Sequence, residues 1–189
     1  MGLKLITPPA AEPVALDDLK LDLGISWADQ DARLAALIAS AREACEHEIG
    51  RALITQTWEL VLDAFPAGIR LPYPPCQSVE SVKYLDADGV LQTLSAPSYQ
   101  LDSHSEPAWL VPAWGYAWPA TRPEPNAVRV RFVAGFGDAA ADVPANICAW
   151  IRLQAAHFYH NAAAASDLPL IMTPYTNRLL DRHRIYGAA

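Results

Sequence analysis

By type and spacing, Asp102, His104 and Glu106 are the residues best suited to chemistry. Alternate residues on a strand share one face, so an acid–His–acid triplet could hold a metal or move a proton. Pro107 and the serines at 103 and 105 argue instead for a polar surface loop, the commoner setting for such residues. His157 and His160 are three apart, a helical spacing that can also bind metal, but no carboxylate or cysteine stands at partner spacing nearby. Phe158 and Tyr159 between them favour a structural role on a packed helix. Gly135-Phe136-Gly137 precedes a helix, as phosphate loops do, yet Asp138 and Ala139 follow where a nucleotide-binding loop needs further glycines or a lysine. There is no serine in a nucleophile elbow. Cys45, Cys76 and Cys148 are odd in number, far apart and without a paired motif, so neither a disulfide scaffold nor a zinc site is expected, and Cys45 and Cys148, which lie in helical apolar patterns, are expected as buried free thiols. The expectation is a protein that is not an enzyme, with no cofactor and no metal.

The elements that must carry these residues are built from 189 amino acids, 52% apolar and 19% charged. That is enough apolar material for a core and excludes a wholly disordered chain. The net charge of −7 makes general binding to DNA backbone unfavourable, though a local basic strip is compatible with it. No run of about 18 apolar residues is present, so no membrane span is expected. The N-terminus, with Lys4, Pro8, Pro9 and Pro13, lacks the apolar run of a signal peptide. A soluble protein made in the cytoplasm is the expectation.

Residues 1–12 read as an extended arm. A short helix follows Pro13 and ends at Gly24. Asp29 is a suitable N-cap for a second helix, along which Leu34, Leu37, Ile38, Ala41, Cys45 and Ile49 recur at helical period. Arg33, Arg42, Glu43, Glu46 and Glu48 lie mainly off that stripe, and Gly50 closes the helix. The period then switches to two. Strands are expected around residues 57–62, 69–71, 79–85, 90–94, 99–102, 109–112 and 128–134, with a turn at Asp86-Ala87-Asp88-Gly89. On the last strand Arg129 and Arg131 alternate with Val128, Val130 and Phe132. A third helix, capped by Asp142 with Pro144 in its first turn, buries Ile147, Ile151, Ala155 and Phe158, and Trp150 and Tyr159 broaden that stripe.

The fold class is therefore α+β: a small helical bundle with an inserted antiparallel β-rich region and a C-terminal short helix. One domain is expected over 1–189, helical over 1–52, β over 53–135, with a core helix at 142–165 and a C-terminal docking segment at 174–189.

Two segments are rich in partner-binding residue types. Trp109, Trp114, Tyr116 and Trp118 fall within ten residues, interrupted by prolines that prevent regular helix. Such a loop suits a protein contact or a sugar platform, or it folds over its own sheet. The C-terminal segment carries Arg178, Arg182, His183 and Arg184 against a single acid, Asp181. It also holds Leu179, Leu180, Ile185 and Tyr186, much apolar surface for a terminal segment, which favours docking onto a partner.

The chain resembles the head–tail connector, or adaptor, proteins of tailed bacteriophages, prophages and gene transfer agents. The likeness is carried by Glu12-Pro-Val-Ala-Leu16, Gly-Arg-Ala-Leu-Ile-Thr-Gln-Thr-Trp at 50–58, Leu71-Pro-Tyr-Pro-Pro75 and Ser78-Val-Glu-Ser-Val-Lys-Tyr84. It continues through Trp118-Pro-Ala-Thr-Arg122 and Pro125 to Gly135 into Val143-Pro144, and spans about residues 12 to 185 in joint order. The resemblance implies a structural, non-enzymatic protein of the capsid–tail neck of a virion or phage-like particle. It implies a homo-oligomeric ring, commonly of twelve copies, beneath the portal protein, joined below by a stopper or tail-completion protein. DNA would pass through the ring without specific binding, and no membrane is involved. It assigns the portal contact to the C-terminal segment. Arg33, Arg42, Glu43 and Glu46 then become candidates for the contact between copies, and the Trp loop for the contact with a partner. The competing reading is a monomeric binding module, or a tail component, that grips carbohydrate with the Trp loop.

Overall fold

The computed structural model describes residues 2–161, 176 and 178–185. Its elements run β1 (Gly2–Thr7), α1 (Leu16–Leu23), α2 (Asp31–Ile49), β2 (Gln56–Leu62), β3 (Ile69–Leu71), β4 (Cys76–Leu85), β5 (Leu91–Thr93), β6 (Tyr99–Asp102), β7 (Ala108–Pro112), β8 (Val128–Ala134) and α3 (Ala145–His160). The class is α+β, as expected. Two compact units divide the chain: residues 1–10 with 55–136, and residues 11–54 with 137–189.

The first unit holds two antiparallel sheets, β1-β2-β8-β4-β5 and β3-β7-β6. In the larger sheet β8 lies between β2 and β4, and its inward residues Val128, Val130, Phe132 and Ala134 are fully buried. They meet Leu60 and Val82 on the flanking strands through the pairings Leu60↔Val130 and Val82↔Val130. The smaller sheet buries Ile69, Leu71, Ala108 and Leu110. The outward residues between them are the polar half of the period-two pattern.

The N-terminal arm is a strand rather than a free extension. Leu3 and Leu5 alternate with Lys4, and β1 pairs antiparallel with β2 through Leu3↔Leu60 and Leu5↔Trp58. It belongs to the β unit, so the helical part of the chain begins after residue 10.

The second unit packs α1, α2 and α3 together. Leu34, Ile38, Ala41, Cys45 and Ile49 of α2 face Ile147, Trp150, Ile151 and Ala155 of α3 in its core, with Leu19 from α1. Leu37 and Phe158, expected on the buried stripes, are only half-buried. Gly24 and Gly50 end α1 and α2 with φ of 68° and 69°, the left-handed conformation that glycine adopts without strain. Two caps differ from expectation. Gln30, not Asp29, precedes α2, and the Asp31 carboxylate takes a 2.7 Å bond from Lys20 Nζ instead. Asp142 Oδ2 accepts from the Ala139 N–H across a one-turn 3₁₀ helix, while Pro144 holds the N-cap position of α3. α3 ends at His160, short of the expected 165. Residues 162–175, which hold most of the Ala-rich segment and the apolar stretch 168–174, lie outside the described residues.

Candidate assembly surfaces

The C-terminal segment is a folded strap over the end of α2. Of the helix expected over 176–186, Thr176 and Arg178 are helical, a one-turn 3₁₀ helix covers Asp181–His183, and the chain is extended again at Arg184. Every helix leaves its last carbonyls without intrahelical partners. Here the Ile49 carbonyl is taken by the Ile185 N–H at 2.9 Å. The Arg51 guanidinium donates to the His183 carbonyl, and Arg184 donates to the Glu48 carboxylate at 2.6 Å. Cations at this position also suit the negative end of the helix dipole. Leu180 is 0% exposed, so it anchors the strap rather than adding apolar surface. Leu179, His183, Arg184 and Ile185 are half-buried. Arg178 and Arg182 point to solvent. Tyr186 lies outside the described residues.

The face of α2 splits in the same way. Arg33 and Glu43 are exposed, with the Arg33 guanidinium 5.0 Å from the centre of the Tyr159 ring. Arg42 and Glu46 are not on a free face. Their helical phase places them beside the core stripe, and they survive there by pairing. Arg42 Nη1 reaches Glu46 Oε2 at 2.8 Å, and Arg42 Nε reaches Glu12 Oε2 at 2.8 Å. Glu46 Oε1 accepts from the Leu53 N–H at 2.9 Å. Burial alone would pull the Arg42 guanidinium down, but Glu46 and Glu12 outweigh it and hold it above its ordinary value. The group ties the chain before α1 and the loop after α2 to one point on the helix.

The aromatic loop is divided between packing and exposure. Trp118 stacks on Phe65, ring centres 4.8 Å apart, and Phe65 meets the edge of Tyr84. Trp109 covers Gly68, where a Cβ would sit 3.2 Å from its ring. Trp114 is 99% exposed and Tyr116 is 56% exposed, on either side of Gly115 with φ 82°. The stacked pair Trp58 and Tyr73, 4.7 Å apart, was not foreseen because the two sit on different segments.

The acid–His–acid triplet forms a loop cap. Asp102 Oδ1 accepts from the His104 N–H, and Oδ2 accepts from the Ser105 hydroxyl at 2.7 Å. The Ser105 and His104 bonds hold the Asp102 carboxyl below its usual range. Among the described residues no group of three His, Cys, Asp or Glu is placed to share a metal, and no helix is long and apolar enough to cross a membrane. Burial raises the thiol pKa of Cys45 to about 12 and of Cys76 to about 11.

Residues 13–85 match the sequence model of the family described as Phage gp6-like head-tail connector protein. A search of curated proteins finds no match. Among solved structures, the fold is similar to a chain of the virion of a native gene transfer agent (GTA) particle. The TM-score is 0.79 and the identity 25%, over 97% of this chain and 95% of that one. It is also similar to a chain from the neck of a native GTA particle computed with C12 symmetry, at TM-score 0.76, 25% identity and the same coverage. A chain from the neck of an empty GTA particle computed with C6 symmetry shares the fold at TM-score 0.80 and 24% identity, again over 97% and 95% of the two chains. The matched segment holds α1, α2 with Arg42 and Glu46, and the first strands of the β unit, and the fold shared with the gene transfer agent chains runs nearly end to end: the chain is similar to phage head–tail connector proteins in sequence over residues 13–85 and to a gene transfer agent neck protein in fold.

Proposed function

We propose that this chain is the adaptor of a phage or phage-like particle, a non-enzymatic ring of twelve copies in the neck between capsid and tail. The ring would sit beneath the portal protein, extend its DNA channel, and receive the stopper or tail-completion protein below. The observation that carries this reading is the likeness, over 97% of the chain, to a protein of a GTA neck computed with C12 symmetry. A cyclic ring needs two different complementary patches on each copy. Exposed Arg33 and Glu43 on α2 offer polar side chains of both signs for one of them. Arg178 and Arg182 are the outward cations proposed for the portal contact. Trp114, wholly exposed, is the proposed anchor for a partner, since aromatic residues dominate the buried centres of interfaces.

The reading is tested by deleting the gene in a producing strain. Heads without tails should accumulate, and complementation should restore joined particles. Tailed particles in normal number would overturn it.

A further inference from the structure

The β unit contains six Lys and Arg residues: Lys4, Arg70, Lys83, Arg122, Arg129 and Arg131. Four of them lie on one face of the larger sheet. The strand register sets Lys83 directly opposite Arg129, and sets Lys4, Glu59 and Arg131 side by side on β1, β2 and β8. Arg129 and Arg131 are two residues apart on β8, about 7 Å along the strand. Only Glu59 answers them within these rows, and it is bonded to Arg131 at 3.1 Å. The one carboxylate of β4, Glu80, is the extra residue of a bulge. Lys4, Lys83 and Arg129 are exposed and make no ion pair among the described residues.

Like charges directly opposite one another on neighbouring strands destabilise a sheet. Lys83 and Arg129 make such a pair, in a chain with a net charge of −7 that could have spared the arrangement. The rest of the two rows is Gly2, Val61, Ser81 and Thr93, without an aromatic anchor. Protein interfaces are poor in lysine and centred on apolar or aromatic residues. A flat strip of cations at strand spacing suits a regular polyanion instead.

We infer that this sheet face contacts the phosphodiester backbone of duplex DNA, without reading its sequence. The identification of DNA, rather than another polyanion, rests on the adaptor reading above. Three uncompensated cations give weak binding that salt removes. With three phosphate contacts, the logarithm of the binding constant falls with the logarithm of salt at a slope of about −2.7. Affinity then drops about 40-fold between about 50 and 200 mM salt. Contact of that strength guides a moving duplex without holding it.

The test is fluorescence anisotropy of a labelled duplex of about 30 base pairs with the purified full chain, which needs no portal and no ring. The wild type should bind at about 50 mM salt with the stated slope, and K83Q/R129Q should lose about 10-fold or more in affinity and about two units of slope. R122Q, which changes a cation elsewhere in the unit, should bind as the wild type does. The double variant should also melt about 1–4 °C higher, because the repulsion is gone. The inference is overturned if the wild type does not bind at the low salt, if K83Q/R129Q binds equally well, or if polyglutamate competes better than DNA of equal charge. Because the portal is absent, failure here leaves the adaptor reading standing, and failure of portal docking leaves this result intact.

Discussion

Replacing Arg42 by alanine lowers the stability of the protein by about 3 kcal/mol, the low end of the range for removing one partner of a buried ion pair. Arg42 has 8% of its side chain exposed and holds the carboxylates of Glu12 and Glu46. Its loss takes from Glu46, itself 11% exposed, the guanidinium that bridges it to Glu12. The low end applies because Glu12 is 32% exposed and water can solvate it. For a chain of this size the loss corresponds to a fall of about 6–12 °C in Tm. Alanine at Glu43, exposed and 3.4 Å from the same guanidinium, should change stability by no more than about 0.5 kcal/mol. Urea unfolding of the two variants checks both values. A loss below about 1 kcal/mol at Arg42 would mean that the group behaves as an ordinary surface pair.

The second large effect is expected at Leu180. Truncating a fully buried leucine to alanine costs about 2–5 kcal/mol, and less where the surroundings can collapse into the space. A terminal strap can shift, so about 2 kcal/mol is expected. Much of it should appear as local opening of residues 178–185, which increases the open population about 30-fold. Trypsin reads this directly, because Arg178, Arg182 and Arg184 all lie within the strap. Cleavage there should accelerate by about that factor when closing is faster than cutting. An unchanged cleavage rate would show that the Ile185–Ile49 main-chain bond and the Arg184–Glu48 pair hold the segment without the leucine.

The contrast between these two sites shows where reading the sequence succeeds. Elements whose period is strong are legible: α2 from its apolar stripe, β2 and β8 from alternation, and the helix ends at Gly24 and Gly50 from the need for a left-handed residue. Features that depend on distant partners are not. Arg42 and Glu46 read as solvated because charged types usually are, and the partner that changes this, Glu12, lies 30 residues away. β1 offers only two alternating leucines before Pro8, too few to separate an edge strand from an arm. Leu180 reads as spare apolar surface until the end of α2 is seen to need a lid. The outward rows of the sheet show the same limit. Arg129 and Arg131 are visible as one face of a strand, but Lys4 and Lys83 join them only through register.

The signal for assembly was of a different kind. No residue cluster announced it, and it came from the order of many modest segments. That order found its counterpart in the connector family match over residues 13–85 and in a fold shared along nearly the whole chain.

The central claim is that this chain forms a ring on the portal. The most direct measurement mixes the purified protein with portal rings from the same genome and images them by negative-stain electron microscopy. The account predicts a second symmetric layer, twelve-fold as in the C12 neck, on the narrow end of the portal. Bare portals in the presence of excess folded protein would contradict it.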